Sequence, residues 1–175
     1  MKNIHKLYIM TTILIIIDQG IKFIINAKFF DMYFPIMKPW FYFNPVFNRD
    51  YSWVNSLFQL GLSKYFHIIM VTLIIVFASL LYKYILQKKL ITELFNISFA
   101  FLFSAGICSL VDKIFWNGSL DYIFLRSYFI FDLKDVYVNI FVILVIWMVI
   151  SNHKGIQEID EKEFFKGFIR SLFQK

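Results

Sequence analysis

A chain of 175 residues that is 59% hydrophobic and 21% aromatic, with a mean hydropathy of +0.65, carries more apolar surface than one small water-soluble core can hide. A net charge of +6 and a pI near 9.3 do not point to nucleic acid as a partner, because no basic patch with interleaved surface aromatics accompanies them. One cysteine, Cys108, excludes an internal disulfide framework, and three scattered histidines add no ligand pattern, so neither a metal nor a cofactor is expected.

Four apolar windows, roughly 7–25, 65–85, 94–111 and 136–150, approach the ~20 residues needed to cross a bilayer. Their unbroken apolar character argues for helices, which satisfy their own backbone in lipid, over barrel strands of alternating polarity. The expected fold is therefore an all-α membrane protein, a four-transmembrane-helix bundle forming one integral membrane domain over 1–175. The first window follows a basic start, as a secretory signal does. No small-residue cleavage site follows it, so it reads as a retained helix. Within it, Asp18 and Lys22 are four apart, on one face and close enough to pair.

Segment 26–64 holds all three prolines and dense aromatics, which favours short extended strands and an interfacial helix over a continued span. Lys2 and Lys6 precede the first window, and Lys83, Lys88 and Lys89 crowd the second connection, so the positive-inside rule puts both in the cytoplasm. Both termini are then cytoplasmic, and segments 26–64 and 112–135 are extracytoplasmic. The tail, 151–175, ends in FFKGFIRSLFQK, where apolar and basic residues alternate at near-helical spacing, as in a surface helix against anionic lipid. A solvated end is the equal alternative. Cys108 sits among apolar neighbours and reads as a packing residue.

The region between the third and fourth windows carries Asp112, Asp121, Asp132 and Asp135. Asn117-Gly118 marks a turn that can bring Asp121 back toward the bundle. Asp132 is spaced to cap the fourth helix, with Asp135 favoured by the helix dipole. Asp121 and Asp135 flank the ends of apolar stretches, so two carboxylates can face one another where lipid meets water. Such a pair tends to share a proton, so that one member activates water while the other donates. The chain contains no GxSxG, HExxH or P-loop pattern that would supply a different chemistry.

Five segments together resemble the lipoprotein signal peptidases, the signal peptidase II family. DQGIK is similar to the family's Asp-x-x-x-Lys element and gives Asp18 and Lys22; NRDYSW is similar to Asn-Arg-Gly-x-Ser-Phe and gives Asn48. SAGICSLVDK followed by GSLDY resembles Gly-Gly-x-x-Gly-Asn-x-x-Asp-Arg and Gly-x-Val-x-Asp-Phe, giving Asp112 and Asp121, and FDLKD resembles Phe-Asn-x-Ala-Asp, giving Asp135. The departures include Asp50 for glycine, Trp53 for phenylalanine, Cys108 for glycine, Ser109 for asparagine, Lys113 for arginine, Asp132 for asparagine and Lys134 for alanine. Ser109 and Lys113 keep hydrogen-bonding capacity, but a lysine lacks the bidentate fork of arginine, so looser support of Asp112 is expected.

The resemblance implies an aspartic endopeptidase of the bacterial cytoplasmic membrane. It would remove signal peptides from diacylated prolipoproteins just before the lipidated cysteine, with Asp121 and Asp135 catalytic and Asp112 the rival for the first role. Asp18, Lys22, Asn48, Ser109, Asp112, Lys113 and Asp132 would bind substrate or support the site. Membrane lipid and the diacylated prolipoprotein are the expected partners, and the chain would act as a monomer. The competing readings are a small transporter or channel subunit that uses buried charges as an ion path, and a purely structural partner of other membrane proteins.

Overall fold

The computed structural model describes residues 2–151 and 166–171. Four helices are long and apolar enough to cross a membrane, at Ile4–Phe29, Lys64–Gln87, Glu93–Trp116 and Leu133–Ile150. The first comprises α1 (Lys2–Ile24) and a π-helical turn, Ile25–Phe29; then come β1 (Phe34–Met37), β2 (Phe41–Asn48), the short α2 (Trp53–Phe58) and α3 (Lys64–Gln87). The third span comprises α4 (Glu93–Val111) and a second π-helical turn, Asp112–Trp116, followed by β3 (Ser119–Leu125), β4 (Phe129–Phe131) and α5 (Leu133–Ile150).

These bounds correct the apolar windows at the ends that matter. Hydropathy stops the third window at Val111, because Asp112 and Lys113 follow, yet the helical backbone runs on to Trp116. The fourth span begins at Leu133, so Lys134 and Asp135 lie inside its first turn. Charged residues end a hydropathy window but do not end a helix when their partners are also buried.

α4 is the central helix, packed against α1, α3 and α5. Its buried positions include Ser98, Ala100, Ser104, Ala105 and Cys108, small residues that allow close backbone approach where lipid provides no hydrophobic drive. Gly106 has the same use: a Cβ there would stand 2.8 Å from Cγ1 of Ile75 on α3. Hydrogen bonds tie the helices, among them those from the Tyr82 hydroxyl on α3 to Oδ1 of Asn96 (2.7 Å), from the Tyr137 hydroxyl on α5 to the Leu14 carbonyl (3.0 Å) and from the Ser104 hydroxyl to the Thr11 carbonyl (3.3 Å). The main apolar cluster gathers Leu7, Tyr82, Ile85, Phe95, Phe99 and Met148, near the ends where α1 and α4 begin and α3 and α5 finish. The tail helix expected over 164–175 is described only at 166–171, which is helical; Phe168 is buried there, edge-on to Phe77 and Tyr84.

At the opposite end the strands form one antiparallel sheet in the order β1-β2-β3-β4. Segment 26–64 therefore contributes the expected strands and short helix. β2 pairs with β3 in a register that shifts between Phe43 and Val46, around Pro45, which has no N–H to donate. Beyond the shift Val46 faces Asp121 and Asn48 faces Ser119.

Candidate active site

The turn before β3 fixes where Asp121 stands. Asn117 is left-handed and Gly118 has φ +156°, and a Cβ on Gly118 would lie 2.8 Å from the Asn48 carbonyl oxygen. Only glycine suits both the torsion and the approach. The start of α5 is fixed by a capping box: the Asp135 backbone N–H donates to Oδ1 of Asp132 (3.3 Å), and the Asp132 N–H donates to Oδ2 of Asp135 (3.2 Å). The expected cap is thus present, and it restrains Asp135 at the helix N-terminus.

Two ammonium groups hold the carboxylates together. Nζ of Lys22, fully buried, reaches Oδ2 of Asp112 at 2.6 Å, Oδ2 of Asp132 at 2.7 Å and Oδ2 of Asp18 at 3.1 Å, using all three of its donors. Nζ of Lys134 lies 2.5 Å from Oδ2 of Asp132, 2.5 Å from Oγ of Ser119, 3.3 Å from Oδ2 of Asp112 and 3.7 Å from Oδ1 of Asp121. Gln19 adds a bond to Oδ1 of Asp112 (3.1 Å). Charges removed from water at this cost persist only when paired, and here each carboxylate of the inner group shares a lysine.

Asp121 is placed differently. Oδ1 accepts from the Ser119 hydroxyl at 2.6 Å and Oδ2 from the Asn48 amide at 3.3 Å. Asn48 is itself oriented, because its Oδ1 accepts from the Asp50 N–H (3.0 Å) and leaves the NH2 group for Asp121. Burial raises the Asp121 carboxyl above the usual carboxylate range; the Lys134 ammonium opposes this without cancelling it. Asp132 shows the reverse balance. Burial would raise it, but Lys134 and Lys22 together hold it well below that range.

One oxygen each of Asp121, Asp132 and Asp135 lie within 4.8 Å of one another. Three carboxylates so close would attract a cation, but the Lys134 ammonium already provides that positive charge among them. Asp121 and Asp135 also line one cavity of about 410 Å³, whose wall includes Asn48, Ser109, Lys113, Ser119 and Lys134 and the apolar Met70, Val71, Phe129 and Phe131. A second cavity of about 510 Å³ adjoins it, and the two share Asn48, Trp53, Asp121, Phe129 and Ile130.

The structure brings together the residues singled out in the sequence, with one change of role. Asp18 pairs with Lys22 as expected, but Lys22 also binds Asp112 and Asp132. Lys113 bonds Ser109 and not Asp112: its Nζ lies 2.7 Å from the Ser109 hydroxyl, and Asp112 is held by Lys22 and Gln19. Consecutive residues on a helix point to different sides, and Ser109 is one turn back on the Lys113 side. Ser119, Lys134 and His67 were missed as site residues. Nδ1 of His67 lies 2.9 Å from the Ser63 carbonyl and so carries the hydrogen, leaving Nε2 to accept from the Ser52 hydroxyl at 3.1 Å. That bond fixes the N-cap of α2 on the cavity wall. Lys134 could have been found from its place beside Asp135, in the first turn of a helix where a cation opposes the dipole.

The family model described as Signal peptidase (SPase) II matches residues 10–151. The lipoprotein signal peptidase of Fusobacterium nucleatum subsp. nucleatum is 30% identical over 137 residues, 77% of this chain and 79% of that protein. That of Campylobacter jejuni subsp. doylei is 28% identical over 86 residues, 47% of this chain and 51% of that protein. A bacterial membrane enzyme solved by the in meso method at 2.3 Å resolution shares the fold, with a TM-score of 0.68 at 18% identity over 90% of this chain and 94% of that one. With a family model spanning every residue of the acid and lysine cluster, the chain belongs to the signal peptidase II family.

Proposed function

We propose that this chain removes signal peptides from diacylglyceryl-modified prolipoproteins, cutting just before the lipidated cysteine, with Asp121 and Asp135 as an acid–base pair. Family membership supports the protease activity and the prolipoprotein substrate. The observation that carries the aspartic assignment is that Asp121 and Asp135 line the same cavity with carboxylate oxygens no more than 4.8 Å apart. One water can bridge that gap at hydrogen-bond distances of about 2.8 Å to each side. Asp112 is the weaker candidate, because it is fully buried and committed to Lys22 and Gln19.

In this mechanism the pair holds one proton. The ionised member takes a proton from the bridging water as its oxygen attacks the scissile carbonyl, and the protonated member gives its proton to the carbonyl oxygen. The roles then reverse: the nitrogen of the leaving segment is protonated as the C–N bond breaks. Asn48, at the junction of both cavities, is set to orient the substrate backbone, and the apolar wall from Met70 to Phe131 suits a signal helix or an acyl chain. The sheet and α2 would lie on the extracytoplasmic side with both termini cytoplasmic, which the lysine distribution favours. Every group invoked comes from one chain, so a single integral membrane domain acting as a monomer suffices. Conduction is less well supported, since the acids gather at one end of the helices.

The test compares cleavage of a diacylated prolipoprotein and an unlipidated control by the purified chain. Asp121→Asn and Asp135→Asn should each lower kcat by about 10²–10⁴-fold. Cleavage surviving both changes rejects the pair; equal cleavage of the control rejects the lipid requirement.

A further inference from the structure

We infer that Lys134 is a positioning residue for the reacting acids: a fixed internal cation that orders the Ser119 hydroxyl toward Asp121 and keeps the pair singly protonated at working pH. This rests on the reading of Asp121 and Asp135 as that pair.

Lys134 has only hydrogens to give, and its Nζ lies 2.5 Å from Oγ of Ser119, so the serine oxygen accepts there. The single hydroxyl hydrogen must then go to a carboxylate. Three are in range: Oδ1 of Asp121 at 2.6 Å, Oδ2 of Asp112 at 3.2 Å and Oδ2 of Asp132 at 3.3 Å. The Asp112 and Asp132 oxygens already face Lys22 at 2.6 and 2.7 Å. Asp121 is the nearest and least supplied, which orders a chain from Lys134 through Ser119 to Asp121. Hydrogen bonds in such a chain polarise one another.

The groups around Lys134 are Asp18 and Lys22 of α1, Asp112 and Lys113 of the turn after α4, Asp121 of β3, and Asp132 and Asp135 of its own helix end, with His67 of α3 across the cavity. Lys22 serves Asp18, Asp112 and Asp132, and Lys113 bonds Ser109. Among the described residues, the only lysine or arginine within ion-pair distance of Asp121 is therefore Lys134, at 3.7 Å. Remove it, and Asp121 keeps only neutral hydrogen-bond donors while the carboxyl groups of Asp132 and Asp135 remain within 4.8 Å.

The experiment measures kcat and KM against pH for the full-length purified chain in lipid–detergent micelles, with a diacylated prolipoprotein as substrate. Lys134→Met should move the acidic limb of the kcat/KM profile upward by about one pH unit or more, the size of effect an opposite charge at this range exerts. Lys134→Arg should keep the limb near its original position, and Ser119→Ala should move it less than Lys134→Met does. Should Lys134→Met fail to fold, Asp132→Asn and Asp132→Asn/Lys134→Met are compared, since the double change leaves no unpaired acid in place of the lysine's main partner; the same upward displacement is expected between them. An acidic limb that stays in place, or one that Lys134→Arg moves as far as Lys134→Met, overturns the inference. If Asp121→Asn or Asp135→Asn retains full activity, the pair itself falls. An unmoved limb alongside two inactive asparagine variants removes only the role of Lys134.

Discussion

The two ends of the helix bundle are built on different physics. Where α1 and α4 begin, Leu7, Tyr82, Phe95, Phe99 and Met148 interlock, with Tyr82 stacked edge-on to Phe99 at 5.2 Å and hydrogen-bonded to Asn96. Where those helices end, Lys22 and Lys134 hold carboxylates from α1, β3, the N-cap of α5 and the turn after α4. In lipid the first end gains only from packing and a few polar bonds, and the loss of one contact costs a local amount. At the second end the cost of desolvation is spread across a network, so a single deletion strands several charges. A water-consuming reaction inside a membrane needs the second kind of construction only where the water is.

The largest effect expected from breaking this contrast is at Lys22. Lys22→Met leaves Asp18, Asp112 and Asp132 without their common partner and should destabilise the fold by about 3–5 kcal/mol, read as a lowered unfolding midpoint in detergent. Next is Gly118→Ala, which meets the Asn48 carbonyl and a positive φ and should cost about 1–3 kcal/mol. Because it separates Asn48 from Ser119, kcat should fall even in samples that remain folded at the assay temperature. At the apolar end, Tyr82→Phe should cost only about 1 kcal/mol and leave the pH–rate profile unchanged.

The smallest effect is a pH dependence of stability, whose sign differs between two acids of the same cluster. Asp132 is held below its unfolded value, so its contribution is complete above pH ~4 and is lost as pH falls toward its folded value. Asp121 is raised, so its contribution is present at low pH and is lost as pH rises through its folded value. Unfolding midpoints measured from pH 3 to 7 should therefore flatten at the acidic end in Asp132→Asn. A midpoint that still falls as steeply below pH 4 would assign the loss to other acids.

Features set by local spacing were legible in the sequence. Asp18 and Lys22 are one helical turn apart, Asp132 and Asp135 have the spacing of a cap, and the prolines and aromatics of segment 26–64 point to strands and a short helix. Features set by register were not. Ser119 faces Asn48 only because β2 slips at Pro45, and Lys134 meets Ser119 across fifteen residues of chain. Lys113 shows the error in reverse: it is adjacent to Asp112 in sequence, but on the helix its near neighbour is Ser109, four residues back. Hydropathy failed at the same place, since a charged residue buried with its counterion looks, from sequence, like the edge of the membrane.

Asp121 stands in the partition between two cavities, with the Trp53 and Phe129 rings, 6.0 Å apart, beside it. On the proposed reading, the reacting acid then has two doors. A greasy segment can slide in sideways through one while solvent reaches the carbonyl through the other, so the bulk of the substrate need not displace the very molecule that cuts it.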